Sequence, residues 1–166
     1  MSKNASMNKR PSSSEKQLTA ARSRRDRVIA EALEPRQLFS TFTVNTLSDS
    51  ANPGAGLLTL RQAVAMANAA AGPDTINFDP ALFQAGTLQV IVLVPGEIDL
   101  TDSTGTTTLT GPGASLLEVS GNSLSRVFEI DPNVTATISG LTIANGSAAM
   151  GTDGRYDGGG IYNQGD

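Results

Sequence analysis

After residue 73 the chain is a succession of short apolar and β-branched runs, each closed by a turn-forming cluster. The runs are Thr75–Phe78, Leu88–Val94, Glu97–Leu100, Thr106–Thr110, Leu116–Val119, Arg126–Ile130, Thr135–Ser139, Leu141–Ile143 and Gly160–Tyr162. Between them stand Asp79-Pro80, Pro95-Gly96, Gly111-Pro112-Gly113, Gly121-Asn122, Asp131-Pro132-Asn133 and Asn145-Gly146. None has helical spacing, so this part of the chain is restricted to a β-sandwich, a barrel or a solenoid. Tight Asn-Gly hairpins between long alternating strands would favour a sandwich. Here most runs are only three to five residues, and Asn-Gly occurs once. Many carry one aliphatic at the centre with Thr, Ser or Asn beside it, as around Ile130, Ile138, Ile143 and Ile161. A parallel β-solenoid needs that pattern: one or two aliphatics stack inward per coil, Thr and Ser ladder outside, and Gly or Asn turns the corner.

Upstream, Thr41–Thr46 alternates and reads as a strand, and Asn52-Pro53-Gly54-Ala55-Gly56 is a turn. One helix is expected at about 60–71. Thr59 with Gln62 has capping-box spacing, and Leu60, Val64, Ala67 and Ala71 form a narrow apolar stripe. Gly72 and Pro73 supply the stop.

Charge divides the chain. Residues 1–36 hold nine of the twelve basic residues against four acids, for a net +5. Residues 37–166 hold Arg61, Arg126 and Arg155 against twelve acids, for a net −9, and all 17 glycines lie after residue 53. The absence of cysteine excludes a disulfide framework and thiolate chemistry. The absence of histidine excludes a Ser-His-Asp triad and the usual zinc ligand. With no Trp and few aromatics there is no base-stacking platform. The longest apolar stretch, Leu88–Val94, is too short to span a membrane.

In the basic leader, residues 1–16 have a disordered composition. Residues 15–33 have amphipathic helical spacing that ends at Pro35. A secretory signal would need 7–15 apolar residues after the basic cluster. Only Val28-Ile29-Ala30 follows before Glu31. Composition leaves a solvated tail and a nucleic-acid-binding tail open.

Leu33-Glu34-Pro35-Arg36-Gln37-Leu38-Phe39-Ser40 resembles the LEPR-XLL motif near the N-termini of large planctomycete surface and exported proteins. Leu33, Glu34, Pro35, Arg36 and Leu38 match it, and Phe39 replaces its second Leu. The resemblance implies a sorting or export role for the leader. Arg126 to Gly165 resembles right-handed parallel β-helix proteins of the polymorphic outer-membrane and adhesin type. Phe42 to Phe78 resembles their N-terminal region, with Leu58–Val64 in place of a "CSLREAI"-like motif and without its Cys. Gly158-Gly159-Gly160-Ile161 is similar to the GGAI repeat of the chlamydial members, but the partner Phe-x-x-Asn motif is absent. The resemblance implies that the helix caps the first coil. The expected organisation is a basic leader, 1–40, and a β-helix domain, 41–166. That domain is expected to be incomplete at its C-terminus, part of a longer chain and prone to self-association there.

Chemistry is sparse. Asp99 and Asp102 are close in sequence but lie in a Thr/Ser/Gly turn, where Asp is an ordinary turn former. Asp153 and Asp157, four apart in a Gly-rich loop, are the candidate calcium ligands, without the further ligands of an EF-hand loop. No other cofactor is expected, and no catalytic residue is assigned. The sequons at Asn133 and Asn145 read as solenoid corners. The leading expectation is a non-enzymatic extracellular, cell-surface or outer-membrane β-helix protein. Its expected partners are export machinery, acting through the leader, and surface polysaccharide or protein. Nucleic acid is not expected. The alternative is the N-terminal part of a pectate-lyase-like polysaccharide lyase or glycoside hydrolase, which fold alone does not separate from the first.

Overall fold

The computed structural model describes residues 39–84, 86–94, 96–148 and 157–166. The helix expected at residues 15–33, the expected sorting motif Leu33–Leu38 and Asp153 lie outside the described residues.

Among the described residues the fold is mainly β, with parallel sheets and one α-helix. The described residues form ten strands: β1 (Ser40–Val44), β2 (Asp74–Phe78), β3 (Gln89–Val92), β4 (Ile98–Leu100), β5 (Thr106–Thr110), β6 (Leu117–Ser120), β7 (Phe128–Ile130), β8 (Thr135–Ser139), β9 (Thr142–Ala144) and β10 (Ile161–Asn163). They form three sheets, ordered β1-β2-β5-β8, β3-β6-β9 and β4-β7-β10. From β2 onward the chain visits the three in fixed rotation. Each of the nine strand runs expected after residue 73 corresponds to an observed strand, displaced by no more than a few residues at either end.

Register explains why such short strands hold. Ile76 pairs with Leu109 and Leu109 with Ile138; Ile91 pairs with Val119 and Val119 with Ile143. Ile98 and Ile161 flank Phe128. Inward side chains therefore stack row upon row; Ile76, Ile91, Ile98, Leu109, Val119 and Phe128 belong to one buried cluster, with Ile138 and Ile143 packed against it. Each fully buried Leu, Ile or Phe contributes about 1.5–3 kcal/mol, which the few hydrogen bonds of a three-residue strand would not supply. The same register lines up Thr41, Thr75, Thr108 and Thr137 on the outer face of the first sheet. The corners use the residues that tolerate left-handed backbone: Asn122, Asn133 and Asn145 have φ of 55°, 67° and 50°.

Helix α1 (Leu60–Ala69) carries the expected capping box, with the Thr59 side chain accepting from the Gln62 N–H and the Gln62 side chain accepting from the Thr59 N–H. It packs against β1, β2 and β4. Three details depart from expectation. The helix stops at Ala69, because Ala70 is already extended at ψ 158°, before Gly72 is reached. Ala71 is exposed, and Ala63 takes the buried place on the stripe. Ile161 is 38% exposed, since β10 is an edge strand of its sheet. A short 3₁₀ turn, Pro80–Phe83, follows β2. Asp79 caps it, and Phe83 meets the Phe78 ring edge-on at 6.3 Å.

Candidate functional site

Titratable side chains concentrate on the outer face of the β4-β7-β10 sheet. In β4 and β7 the residues flanking the centre are buried and the central one points out, and the pairing sets β10 in the same register. Asp99 therefore stands beside Glu129, and Glu129 beside Tyr162. Glu97, one residue before β4, joins them. Glu97, Asp99 and Glu129 each offer a carboxylate oxygen within 4.8 Å of the others.

Two arginines organise this patch. Arg126 Nη1 donates to Glu97 Oε2 at 3.1 Å and to Glu129 Oε2 at 3.2 Å, and its Nε donates to the Asp157 carbonyl. Its guanidinium lies 4.7 Å from the Tyr162 ring centroid, a cation–π contact. Gln164 donates to Glu129 Oε1. On the other side, Arg61 of α1 donates to the Glu97 and Gly96 carbonyls and forks onto Asp49. Glu97 is thus held by both arginines, its carbonyl by Arg61 and its carboxylate by Arg126. A cleft of about 260 Å³ lies between α1 and β4, lined by Arg61, Val64, Ala65, Asn68, Glu97 and Asp99, among others.

The electrostatics follow from crowding. Partial burial pushes the Asp99 carboxyl above its ordinary value, and Glu97 and Asp131 push the same way while Arg61 and Arg126 oppose them. Glu129 is also raised, first by partial burial and then by Glu97, with Arg126 pulling it down. Such a face can share a proton between neighbouring carboxylates and can hydrogen-bond hydroxyl-rich ligands.

Asp99 belongs to this patch, but Asp102 does not: it is buried in the following turn, where its Oδ1 accepts from the Thr104 N–H and hydroxyl. Asp157 is exposed at the margin. Arg61, Glu97, Arg126, Glu129 and Tyr162 were not singled out from sequence. Aligning the runs on Ile98, Phe128 and Ile161 would have placed Asp99, Glu129 and Tyr162 in one row. Comparison with protein families, curated proteins and solved structures finds no match. Among the described residues no helix is long and apolar enough to cross a membrane.

Proposed function

We propose that residues 41–166 form a right-handed parallel β-helix of an exported or cell-surface protein that works by adhesion, its leader acting as the address. The observation that supports this reading most is the in-register rotation through three parallel sheets. Right-handed crossovers are strongly preferred between parallel strands, which favours that hand. The pairing that stacks Ile76, Leu109 and Ile138 inside also lines Thr75, Thr108 and Thr137 outside. An uncharged hydroxyl ladder on a rigid sheet suits a polysaccharide or protein surface, because its donors and acceptors are already positioned before binding. The test is co-sedimentation of the full chain with insoluble polysaccharides. Wild type is expected to pellet, and Thr108→Lys, which sets a charge in the middle of the ladder, is expected to stay in solution while remaining folded. Equal pelleting of both would remove the ladder from the reading. Surface exposure that survives Glu34→Ala/Arg36→Ala in a bacterial host would remove the address.

A second reading rests on the carboxylates of Glu97, Asp99 and Glu129. Polysaccharide cleavage uses neighbouring carboxylates with one held protonated, and Asp99 and Glu129 are neighbours across the ladder and both raised. New reducing ends or unsaturated products from a polysaccharide, lost in Asp99→Asn/Glu129→Gln, would favour the enzyme.

A further inference from the structure

Asp74 opens β2 with its side chain turned into the interior. It is 1% exposed, and neither of its buried carboxylate oxygens has a hydrogen-bond partner among the described residues. Thr107 is its direct neighbour in the ladder, 0% exposed, and its hydroxyl oxygen is also unpartnered. Asp102 is 4% exposed, and its Oδ2 is buried without a partner. One relay ties the Asp102 turn to the residues just before Asp74. The Gly72 N–H donates to Thr104 Oγ1, and that hydroxyl donates to Asp102 Oδ1. Gly105 lets the two segments approach closely, since a side chain there would collide with the Gly72 and Pro73 backbone.

Asp74 and Thr107 thus bring three unpartnered oxygens to one rung of the first sheet's interior, and the relay through Thr104 sets the Asp102 turn, with a fourth, against the segment that leads into it. A buried carboxylate without a partner is costly when ionised, and a bound cation is one way to offset that cost. The described arginines are engaged elsewhere, Arg61 at Asp49 and Arg126 at Glu97 and Glu129. Helix α1 carries no basic residue in its last turn, so the negative end of its dipole, five residues before Asp74, is not neutralised by a side chain of its own.

We propose that Asp74, Asp102 and Thr107 form a buried site for a divalent cation. The donors are all oxygen, which selects a hard ion, and two carboxylates match a charge of two. Donors from two successive strands and a turn make an irregular set, which suits calcium better than the strict octahedron of magnesium. The ladder position after Thr107 is Ala136, so the site is confined to the β2 and β5 level. Its role is to join these two strands to the turn between β4 and β5.

The experiment is calorimetric titration of chelator-treated full chain with calcium alone, paired with thermal melts in calcium and in magnesium. The expected result is one saturable calcium site and a raised melting midpoint. Asp74→Asn is expected to abolish both, and Thr107→Val to weaken binding about tenfold or more. Asp99→Asn/Glu129→Gln, which removes charge from the exposed patch, is expected to retain the site. If Asp74→Asn does not fold, Thr107→Val and Asp102→Asn carry the test. Absence of saturable binding in wild type would overturn the proposal, as would binding that survives Asp74→Asn or that disappears in the Asp99→Asn/Glu129→Gln variant.

Discussion

Arg61, in the first turn of α1, grips Asp49 through two parallel bonds of 3.0 Å, Nε to Oδ1 and Nη2 to Oδ2. The Asp49 side chain is 1% exposed, and its Oδ2 also accepts from the Val94 N–H, while Arg61 continues to the Gly96 and Glu97 carbonyls. One ion pair therefore joins the loop after β1, the helix and the segment leading into β4. Removing the guanidinium leaves a buried carboxylate unpaired. Arg61→Ala is expected to lower unfolding stability by about 3 kcal/mol or more in urea titration. Arg61→Lys should recover only part, because an ammonium does not reproduce the fork. A loss of about 0.5 kcal/mol or less for Arg61→Ala, the level of an exposed pair, would mean the clamp is unimportant.

Asn68 acts on the same edge. Its Nδ2 donates to the Asp99 carbonyl at 2.7 Å, and its Oδ1 accepts from the Thr101 N–H at 3.0 Å. One amide side chain thus pairs with β4 as a neighbouring strand would, on the side where the sheet order ends. Asn68→Ala should cost about 1–2 kcal/mol. It should also speed hydrogen exchange at the Thr101 amide selectively. Unchanged protection of that amide would show that the pairing does not persist in solution.

The sequence made the local devices plain. Thr59 and Gln62 announce the helix start because a capping box is a four-residue pattern. The β-branched runs announce strands because alternation is visible within five residues. What stayed hidden depends on register. Asp49 and Arg61 are separated by a loop, and Arg61 finds the carbonyls of Gly96 and Glu97 some 35 residues onward. Asp99 and Asp102 looked like neighbours, yet Asp99 faces outward toward Glu129, thirty positions later, while Asp102 turns inward to Thr104. Asp74 carries no sequence signal of its own, and only the β2–β5 pairing reveals that it faces Thr107 in the interior.

Glycines at the corners separate two kinds of constraint. At Gly111 an added Cβ would strike the Gly140 carbonyl of the next level, a backbone group with nowhere to go. At Gly56 nothing lies within 4 Å, but φ is +76°. Gly111→Ala should therefore destabilise by about 3 kcal/mol through overpacking. Gly56→Ala should cost only about 1 kcal/mol, the strain of left-handed backbone. Equal losses in parallel urea titrations would show that the levels are not in backbone contact at Gly111.

Asp99 provides a pH prediction whose sign is fixed. Its folded carboxyl is raised above its ordinary value of 3.8, so over the interval from 3.8 up to the folded value the native state binds more protons than the unfolded chain. Stability linked to this group is fully present below that interval and declines as pH rises through it. Glu129 is raised from 4.5 and acts in the same direction. Asp99 makes no side-chain hydrogen bond among the described residues, so Asp99→Asn removes the charge without removing a bonded partner. The variant should match wild type in acid and become the more stable of the two toward neutral pH, with a flatter profile between. Urea midpoints measured from pH 3.5 to 7.5 read this directly. A variant less stable than wild type at neutral pH would mean that the Asp99 charge is held favourably by Arg61 and Arg126, against the dominance of desolvation and of repulsion by Glu97 and Asp131.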